Sequence, residues 1–213
     1  MPAGMLAAAF AESNDMDDAV RRAMAKWPDV PPAFGWLSLD TRGQWSLRDE
    51  RIGNPLLIEF IGRNYAGDCS GRWYFQNGPQ RVFVALAYAP WVLRMGSEGC
   101  LVTHTAKPVK AVTSGWMDRD GIVTLHTEHG AGLVDGRDVE SLASWISDTA
   151  GAALDEDRLI ESLDRIQAGQ DCDLRLRYAG RAVPFLPIEA DEVPARLGFV
   201  RDPRPLPNKQ PGP

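Results

Sequence analysis

The sequence has few cysteines and no long apolar run. Cys69, Cys100 and Cys172 are an odd number at wide spacing, which excludes a disulfide framework and a paired CxxC metal knuckle. The longest apolar stretch, Val82 to Leu93, contains Pro90 and has about half of the roughly 20 residues that a bilayer span needs. The first ten residues lack the basic region of a signal peptide. We therefore expect a cytoplasmic protein with reduced thiols and no membrane span.

Basic residues are fewer than acidic ones. The 213 residues include 23 Lys and Arg against 29 Asp and Glu, so that the formal net charge is -6 and the pI is about 5.1. Such a balance gives no general attraction to a phosphate backbone or to anionic lipid. Apolar residues make up 44% of the chain and charged residues 24%, as in folded soluble proteins. These values predict a folded soluble protein with no nucleic-acid partner.

Motifs for hydrolases and nucleotide-binding proteins are missing, since no GxSxG, HExxH or GxxxxGK[ST] occurs. The glycine-rich segment Gly130–Gly136 follows a predicted strand and precedes a predicted helix. Its third glycine is one position late for a dinucleotide loop, and Asp135 and Asp138 place negative charge where a pyrophosphate would bind. We interpret the segment as a strand-to-helix connection and predict no cofactor.

The three histidines and Cys100 are the candidates for chemistry. On a strand, His126 and His129 would point to opposite faces about 10 Å apart, too far to share a metal ion, so no metal site is predicted. Cys100 and His104 share a strand face but lie about 13 Å apart, beyond the reach of nucleophile activation. An enzyme in which Cys100, His104 and His126 converge in a cleft stays as an alternative.

The periodicity of apolar residues predicts an α+β protein with antiparallel β-meander or open-barrel-like sheets and short flanking amphipathic helices. The length allows one domain or two small ones. Helices are predicted at Asp15–Trp27 (capped by Asn14 or Asp15), Asn54–Asn64, Val139–Ile146 and Leu159–Ile166. Strands are predicted at Trp36–Leu39, Gln44–Leu47, Trp73–Phe75, Val82–Leu86, Trp91–Met95, Leu101–Thr105, Val109–Met117, Ile122–Thr127, Leu174–Tyr178 and Ala182–Leu186.

Proline-rich segments suggest where the chain divides. Residues 1–32 hold the leading helix and a stiff linker, Pro28–Pro32. Residues 33–107 form a hairpin, helix and meander unit, and residues 108–201 form a β and helical unit. Residues 202–213 contain five prolines, which favours a flexible or polyproline-like tail.

Three stretches of the chain, Gly35–Asp40, Arg51–Pro55 and Gly71–Val82, resemble a proteobacterial family of small uncharacterised proteins. The likeness covers roughly residues 33–200 in order of elements. It implies a bacterial cytosolic protein, and because the family is a domain of unknown function it supplies no catalytic residues. The order of elements is also similar to another uncharacterised bacterial family, whose members form two small β-rich domains. That likeness favours a division near Thr105 to Lys110.

Aromatic residues on strands carry the functional hypothesis. Their usual role is core packing, but on an open sheet face they would form a recognition surface, because aromatic and arginine side chains dominate binding hot spots. We therefore predict a non-enzymatic binding or regulatory module for a protein, peptide or small ligand. A structural subunit of an oligomer is a further alternative. The predicted binding residues are Trp73, Tyr74, Asn77, Gln80, Arg81 and Trp91.

Overall fold

The computed structural model describes residues 16–205 and has the α+β architecture that the sequence predicts. The described residues fall into two compact units. The first contains residues 16–39, Trp45–Leu86 and residues 200–205; the second contains Asp40–Gln44 and Ala87–Phe199. The predicted boundary at residue 107 differs from this division, because strands before and after it pair in one sheet.

The described part of the chain has short helices. They are α1 (Asp18–Lys26), α2 (Pro55–Arg63), α3 (Val139–Leu142), α4 (Glu156–Gln167) and α5 (Val193–Leu197), with turns of 3₁₀ helix at Ser97–Gly99 and Ala143–Trp145. Among residues 16–205, no helix has both the length and the hydropathy that crossing a bilayer would require.

The first unit holds a six-stranded sheet. Its strands are β1 (Ala33–Leu39), β2 (Trp45–Leu47), β3 (Glu50–Arg51), β4 (Tyr65–Gly67), β5 (Trp73–Asn77) and β6 (Gln80–Leu86). They lie side by side in the order β3-β2-β1-β6-β5-β4.

The second unit holds an eight-stranded sheet. Its strands are β7 (Trp91–Met95), β8 (Leu101–Thr103), β9 (Val112–Met117), β10 (Val123–Thr127), β11 (Gly130–Val134), β12 (Ile146–Asp148), β13 (Leu174–Tyr178) and β14 (Arg181–Pro187). Their order is β12-β13-β14-β9-β10-β11-β7-β8.

The sheets are mixed and not purely antiparallel. The predicted hairpins β1–β2, β5–β6, β9–β10 and β13–β14 are all present as antiparallel pairs, which confirms the local turn signals. Three parallel pairs, β1–β6, β7–β11 and β9–β14, join segments that are distant in sequence. Because parallel strands need a crossover connection, these pairs replace a simple meander.

Local capping signals position the two helices of the first unit. Asn54 Oδ1 accepts hydrogen bonds from the backbone N–H groups of Leu56 (3.0 Å) and Leu57 (3.3 Å), which confirms the predicted start of α2. Helix α1 begins after Asp17, and Asn14 and Asp15, the predicted caps, lie outside the described residues. The Asp17 N–H donates to Asn64 Oδ1 at 3.0 Å, so the start of α1 is bound to the end of α2.

Aromatic rings form the core of the first unit on the sheet face that carries α2. Trp45 packs edge-on against Tyr65 at 5.1 Å between ring centroids, and Tyr65 lies 5.0 Å from Trp73. From α2, Phe60 meets Phe75 edge-on at 5.4 Å. Burial raises the pKa of Tyr65 well above its usual value, because a phenolate would lose its hydration there.

The glycine-rich segment forms a strand, which corrects the predicted strand-to-helix connection. Gly130–Val134 is β11, which lies between β10 and β7. A Cβ atom on Gly132 would lie 2.6 Å from Leu93 Cγ on the neighbouring strand. Glycine is therefore needed there for the close approach of two strands.

The predicted helix over Val139–Ile146 is shorter than expected. Helix α3 ends at Leu142, a 3₁₀ turn follows, and Ile146 begins β12 because it pairs with Leu176 in the sheet. Helix α4 confirms the next predicted helix, whereas α5 has no counterpart among the predictions.

The segment that follows α5 forms hydrogen bonds with the first unit. The Val200 N–H donates to Gly71 O at 2.8 Å, and Arg201 O accepts from the Leu86 N–H at 2.7 Å. Pro203 is buried, which does not fit a flexible tail that begins at residue 202. Residues 206–213 lie outside the described part of the chain.

The substitution Gly132→Ala tests the close approach of β11 and β7. We expect a loss of about 1–3 kcal/mol in the free energy of unfolding, because the added methyl group overlaps the Leu93 side chain. Gly136→Ala is the matched control, since a Cβ there has no atom within 4 Å, and its effect should stay within about 1 kcal/mol. Urea denaturation measures both, and equal losses would contradict the assignment.

Candidate binding face

The two faces of the first sheet differ in chemistry. Successive side chains on a strand point to opposite faces, and paired residues share a face. Phe75 and Val82 are paired and lie on the face covered by α2. Tyr74 and Phe83 are the next pair, so they lie on the opposite face, where Ala66 joins them in a second buried cluster.

A bulge in β1 adds two aromatic side chains to this second face. Ala33 pairs with Val82 and Leu37 with Val84, so that residues 34–36 stand opposite a single residue of β6. Gly35 has a φ of 71°, a left-handed conformation that glycine adopts without cost. Ala33 and Leu37 both pair with residues of the α2 face, so the alternation of side chains places Phe34 and Trp36 on the opposite face, that of Phe83.

The rings on this face stack closely. Phe34 lies parallel to Phe83, with centroids 4.6 Å apart and planes 9° apart. Tyr74 meets Phe83 edge-on at 5.9 Å. Phe34 is partly buried, whereas Trp36 keeps 48% of its surface exposed. The aromatic row therefore runs from a buried end to an accessible one.

Three arginines cover the rings of this row. The guanidinium carbon of Arg81 lies 4.6 Å from the Tyr74 centroid, that of Arg72 lies 4.7 Å from Phe83, and that of Arg48 lies 4.1 Å from Trp36. All three distances are within the range of cation–π attraction. We call this set of rings and guanidinium groups the arginine–aromatic face: Phe34, Trp36, Tyr74, Phe83, Arg48, Arg72 and Arg81.

The β2–β3 turn holds Arg48 in an uncommon backbone conformation. Arg48 and Asp49 have φ values of 48° and 68°, both left-handed, as a two-residue turn of this hairpin type requires. For a residue with a side chain this conformation costs roughly 1 kcal/mol. The Arg48 N–H donates to Trp36 O at 2.8 Å, so the same residue is bound to the bulged strand through backbone and side chain.

Positive charge exceeds negative charge on this face. Arg72 is paired with Asp68, whose carboxylate accepts from Nε at 2.8 Å. Arg48 and Arg81 have no carboxylate within 4 Å among the described residues. Arg51 is exposed and pairs with Ser46, which places its side chain on the same face.

The predicted binding residues of the first unit divide between its two faces. Tyr74 and Arg81 belong to the arginine–aromatic face. Gln80 Nε2 donates to Pro31 O at 3.0 Å and fixes the linker that precedes β1, while Asn77 is exposed at the end of β5. Trp73 is buried on the opposite face. Whether any of them binds a ligand stays a prediction.

Trp91, the remaining predicted residue, lies in the core of the second unit. Its Nε1–H donates to His129 O at 2.7 Å. Its ring centroid lies 5.6 Å from that of His104 and 6.0 Å from that of His129, and Lys107 Nζ lies 5.7 Å above it. The ring is therefore surrounded by packing partners and is not on an open surface.

Sequence reasoning missed five members of the arginine–aromatic face: Phe34, Trp36, Arg48, Arg72 and Phe83. The sequence does hold a signal for the bulge, because Gly35 stands between two aromatic residues directly before the predicted strand Trp36–Leu39. The parallel pairing of β1 with β6, which brings Phe34 onto Phe83, has no local signature.

The candidate residues for chemistry do not converge. Cys100 is exposed, and its Sγ donates to Ser97 O at 3.1 Å. His126 lies on β10, where its Nδ1 is 3.0 Å from Thr113 Oγ1, and burial lowers its pKa. Two strands, β11 and β7, separate β10 from β8, so His126 is about 14 Å from the strand of Cys100 and His104.

His104 has an uncharged ring in a shielded position. Its Nδ1 accepts from the Val92 N–H at 3.2 Å, which places the ring proton on Nε2. Burial and, second, the positive charge of Arg94 lower the pKa of His104 to about 3. Gly43 packs directly on this residue, because a Cβ atom on Gly43 would lie 2.5 Å from His104 Cβ.

The described part of the chain shows no metal centre and one open groove is prominent in it. No group of three His, Cys, Asp or Glu side chains among residues 16–205 could hold a metal ion. A groove of about 520 Å³ lies between α4 and the start of β13. Its charged side chains, such as Arg158 and Asp173, are exposed to solvent.

A known protein family matches most of the chain in sequence. A family described as "Protein of unknown function (DUF2946)" matches residues 16–204, which confirms the resemblance to a domain of unknown function. No curated protein matches the chain in sequence.

Two solved structures are similar to parts or most of this chain. The crystal structure of a DUF1285 family protein from Silicibacter pomeroyi DSS-3 is 14% identical, with a TM-score of 0.50 over 88% of this chain and 94% of that one. A DUF1285 family protein from Shewanella baltica OS155 is 13% identical, with a TM-score of 0.39 over 49% of this chain and 87% of that one.

The substitution His104→Asn tests the uncharged state of the buried imidazole. In the wild type the unfolded chain takes up a proton near pH 6.5, whereas the folded protein does so only near pH 3. The free energy of unfolding should therefore fall as the pH is lowered through this window, by up to about 1.4 kcal/mol per pH unit. Asparagine keeps an acceptor for the Val92 N–H but does not titrate. Urea denaturation between pH 7 and 4 should give a shallower fall for His104→Asn; parallel curves would contradict the assignment.

Proposed function

The chain belongs to the family of proteins of unknown function DUF2946, and we propose that it acts as a non-enzymatic binding module whose arginine–aromatic face recognises a protein partner. The observation that carries this proposal is the stacking of three guanidinium groups on the rings of one sheet face. Tryptophan, tyrosine and arginine are the residues that contribute most binding energy at protein interfaces.

The stacked arrangement supports binding because it orders the arginines in advance. A free arginine side chain loses about 2 kcal/mol of rotational entropy when a partner fixes it. Arg81 and Arg48 already lie against rings, so part of this cost is met during folding. The face is therefore prepared for recognition before a partner arrives.

The accessible end of the face is the Trp36 and Arg48 pair. Trp36 is exposed at a bulge, and Arg48 occupies a left-handed turn position that glycine would fill at lower cost. Strained backbone positions concentrate at functional sites. A long, charged side chain at such a position fits a role in binding better than a role in stability.

The alternative function, an enzyme, has less support. It needs Cys100, His104 and His126 in one cleft, and the strands of the second sheet hold them apart. The imidazole of His104, with its pKa near 3, is also poorly matched to acid or base catalysis near neutral pH.

The proposal includes the cytoplasm as the site of action. Cys69 and Cys100 are exposed free thiols, and Cys172 is a buried one. Exposed thiols persist most readily in a reducing compartment.

Photo-cross-linking at position 36 tests the proposed surface. Replacement of Trp36 by benzoylphenylalanine should give a covalent adduct with a cellular protein in a lysate of the producing bacterium. Wild-type protein in excess should suppress the adduct, because it competes for the same partner. Leu56 is the matched control position, since it is 75% exposed on α2, which packs on the opposite sheet face.

The variant Arg48→Gly separates binding from stability. Glycine tolerates the left-handed turn, so the free energy of unfolding should change by less than about 1 kcal/mol. As a competitor it should nevertheless fail to suppress the adduct at position 36. The proposed binding face would be contradicted if adducts formed equally well from position 56. Full suppression of the position 36 adduct by Arg48→Gly would contradict it too.

A further inference from the structure

We infer that the partner segment bound by the arginine–aromatic face is acidic, an inference that rests on the proposed function and adds the chemistry of the partner. The sheet side that carries this face presents four arginines, since Arg51 lies beside Arg48, Arg72 and Arg81, and the described contacts place one carboxylate, Asp68, among them. This local excess of positive charge stands out in a chain whose net charge is -6.

The one carboxylate on the face is already engaged. Asp68 accepts from Arg72 Nε at 2.8 Å and lies 2.7 Å from its terminal nitrogen, while its other oxygen accepts from the Arg72 backbone N–H at 3.0 Å. It therefore has little capacity left to neutralise Arg48, Arg51 or Arg81. None of these three has an ion-pair partner among the described residues.

Glu50, which precedes Arg51 in sequence, is oriented away from this face. Glu50 pairs with Leu47, and Leu47 pairs with Leu37, which is on the face of α2. Arg51 pairs with Ser46 and lies on the opposite side of the sheet. The hairpin therefore separates the charges of Glu50 and Arg51, although the two residues are adjacent in sequence.

Stacking on rings leaves the arginines able to bind carboxylates. A guanidinium group that lies against an aromatic ring uses its flat face, and its five N–H donors point outward in the plane. Carboxylates accept such donors in pairs, with good geometry. Arg48 over Trp36 and Arg81 over Tyr74 therefore offer aligned donors beside an apolar surface.

An acidic protein segment suits this face better than a nucleic acid. Both carry negative charge, but the net charge of -6 repels a long polyanion, whose binding depends on many phosphate contacts. A short segment with a few carboxylates and an apolar side chain for Trp36 needs only the local face. Electrostatic complementarity of this kind raises the association rate and selects the partner.

Fluorescence anisotropy with three labelled probes tests the inference on the full-length protein. The probes are a twelve-residue peptide of alternating Glu and Tyr, the same peptide with Gln in place of Glu, and a twelve-nucleotide oligothymidylate. We expect the Glu peptide to bind at least about tenfold more tightly than the Gln peptide, and to weaken several-fold as salt is raised.

Variants assign the binding to the face. The double variant Arg48→Gln with Arg81→Gln should lower the affinity for the Glu peptide at least about fivefold. The double variant Arg177→Gln with Arg181→Gln is the charge-matched control, since both residues are exposed on the β13–β14 hairpin of the second unit, and it should bind as the wild type does.

The outcomes separate this inference from the proposed function. If both peptides bind equally and Trp36→Ala removes both, the face binds proteins but the partner is not acidic. If neither peptide binds, or if the oligothymidylate binds more tightly than the Glu peptide, the inference is also overturned. If the Glu peptide binds but the adduct at position 36 does not form, the result counts against the proposed function and not against this inference. The cross-linking measurement does not depend on the charge of the partner.

Discussion

The parallel pairing of β1 with β6 is the contact on which the first unit depends. It places β1 at the centre of the sheet, between its hairpin partner β2 and a strand that follows more than 40 residues later. The register of this pairing puts Ala33 and Leu37 on the α2 face, so that Phe34 and Trp36 lie together on the other face. Between the two rings, Gly35 takes the left-handed conformation at the irregularity in the register. The arginine–aromatic face thus depends on one long-range strand pair.

Short-range features of the fold could be predicted from the sequence because their causes are local. The Asn54-Pro55 start of α2 depends on a side chain and the amides two and three residues later. The β5–β6 hairpin depends on turn residues and on alternation over a few positions. In both cases the residues that determine the element are the residues that form it.

Long-range features could not be predicted because the residues that determine them lie far apart in sequence. Gly130–Val134 is rich in glycine, which weakens a strand in isolation, and it becomes β11 because Gly132 lets β7 approach. Tyr74 and Arg81 were found as a candidate pair because one hairpin joins them, whereas Phe34 and Arg48 reach the same face through separate pairings. Trp73 and Trp91 were misplaced on a common surface because composition does not distinguish an open face from a core.

The arginines of this face are better explained by recognition than by stability. A surface ion pair contributes little to folding, and an arginine stacked on a ring contributes of the order of 1 kcal/mol. Several like charges on one face repel one another, which offsets part of that gain. A sheet face that needed only cover could use aliphatic side chains at no electrostatic cost. The left-handed backbone of Arg48 is a further cost to the folding free energy. The arrangement costs folding energy at several positions, and its donors remain available to a partner. Both properties are expected of a surface that binds another molecule.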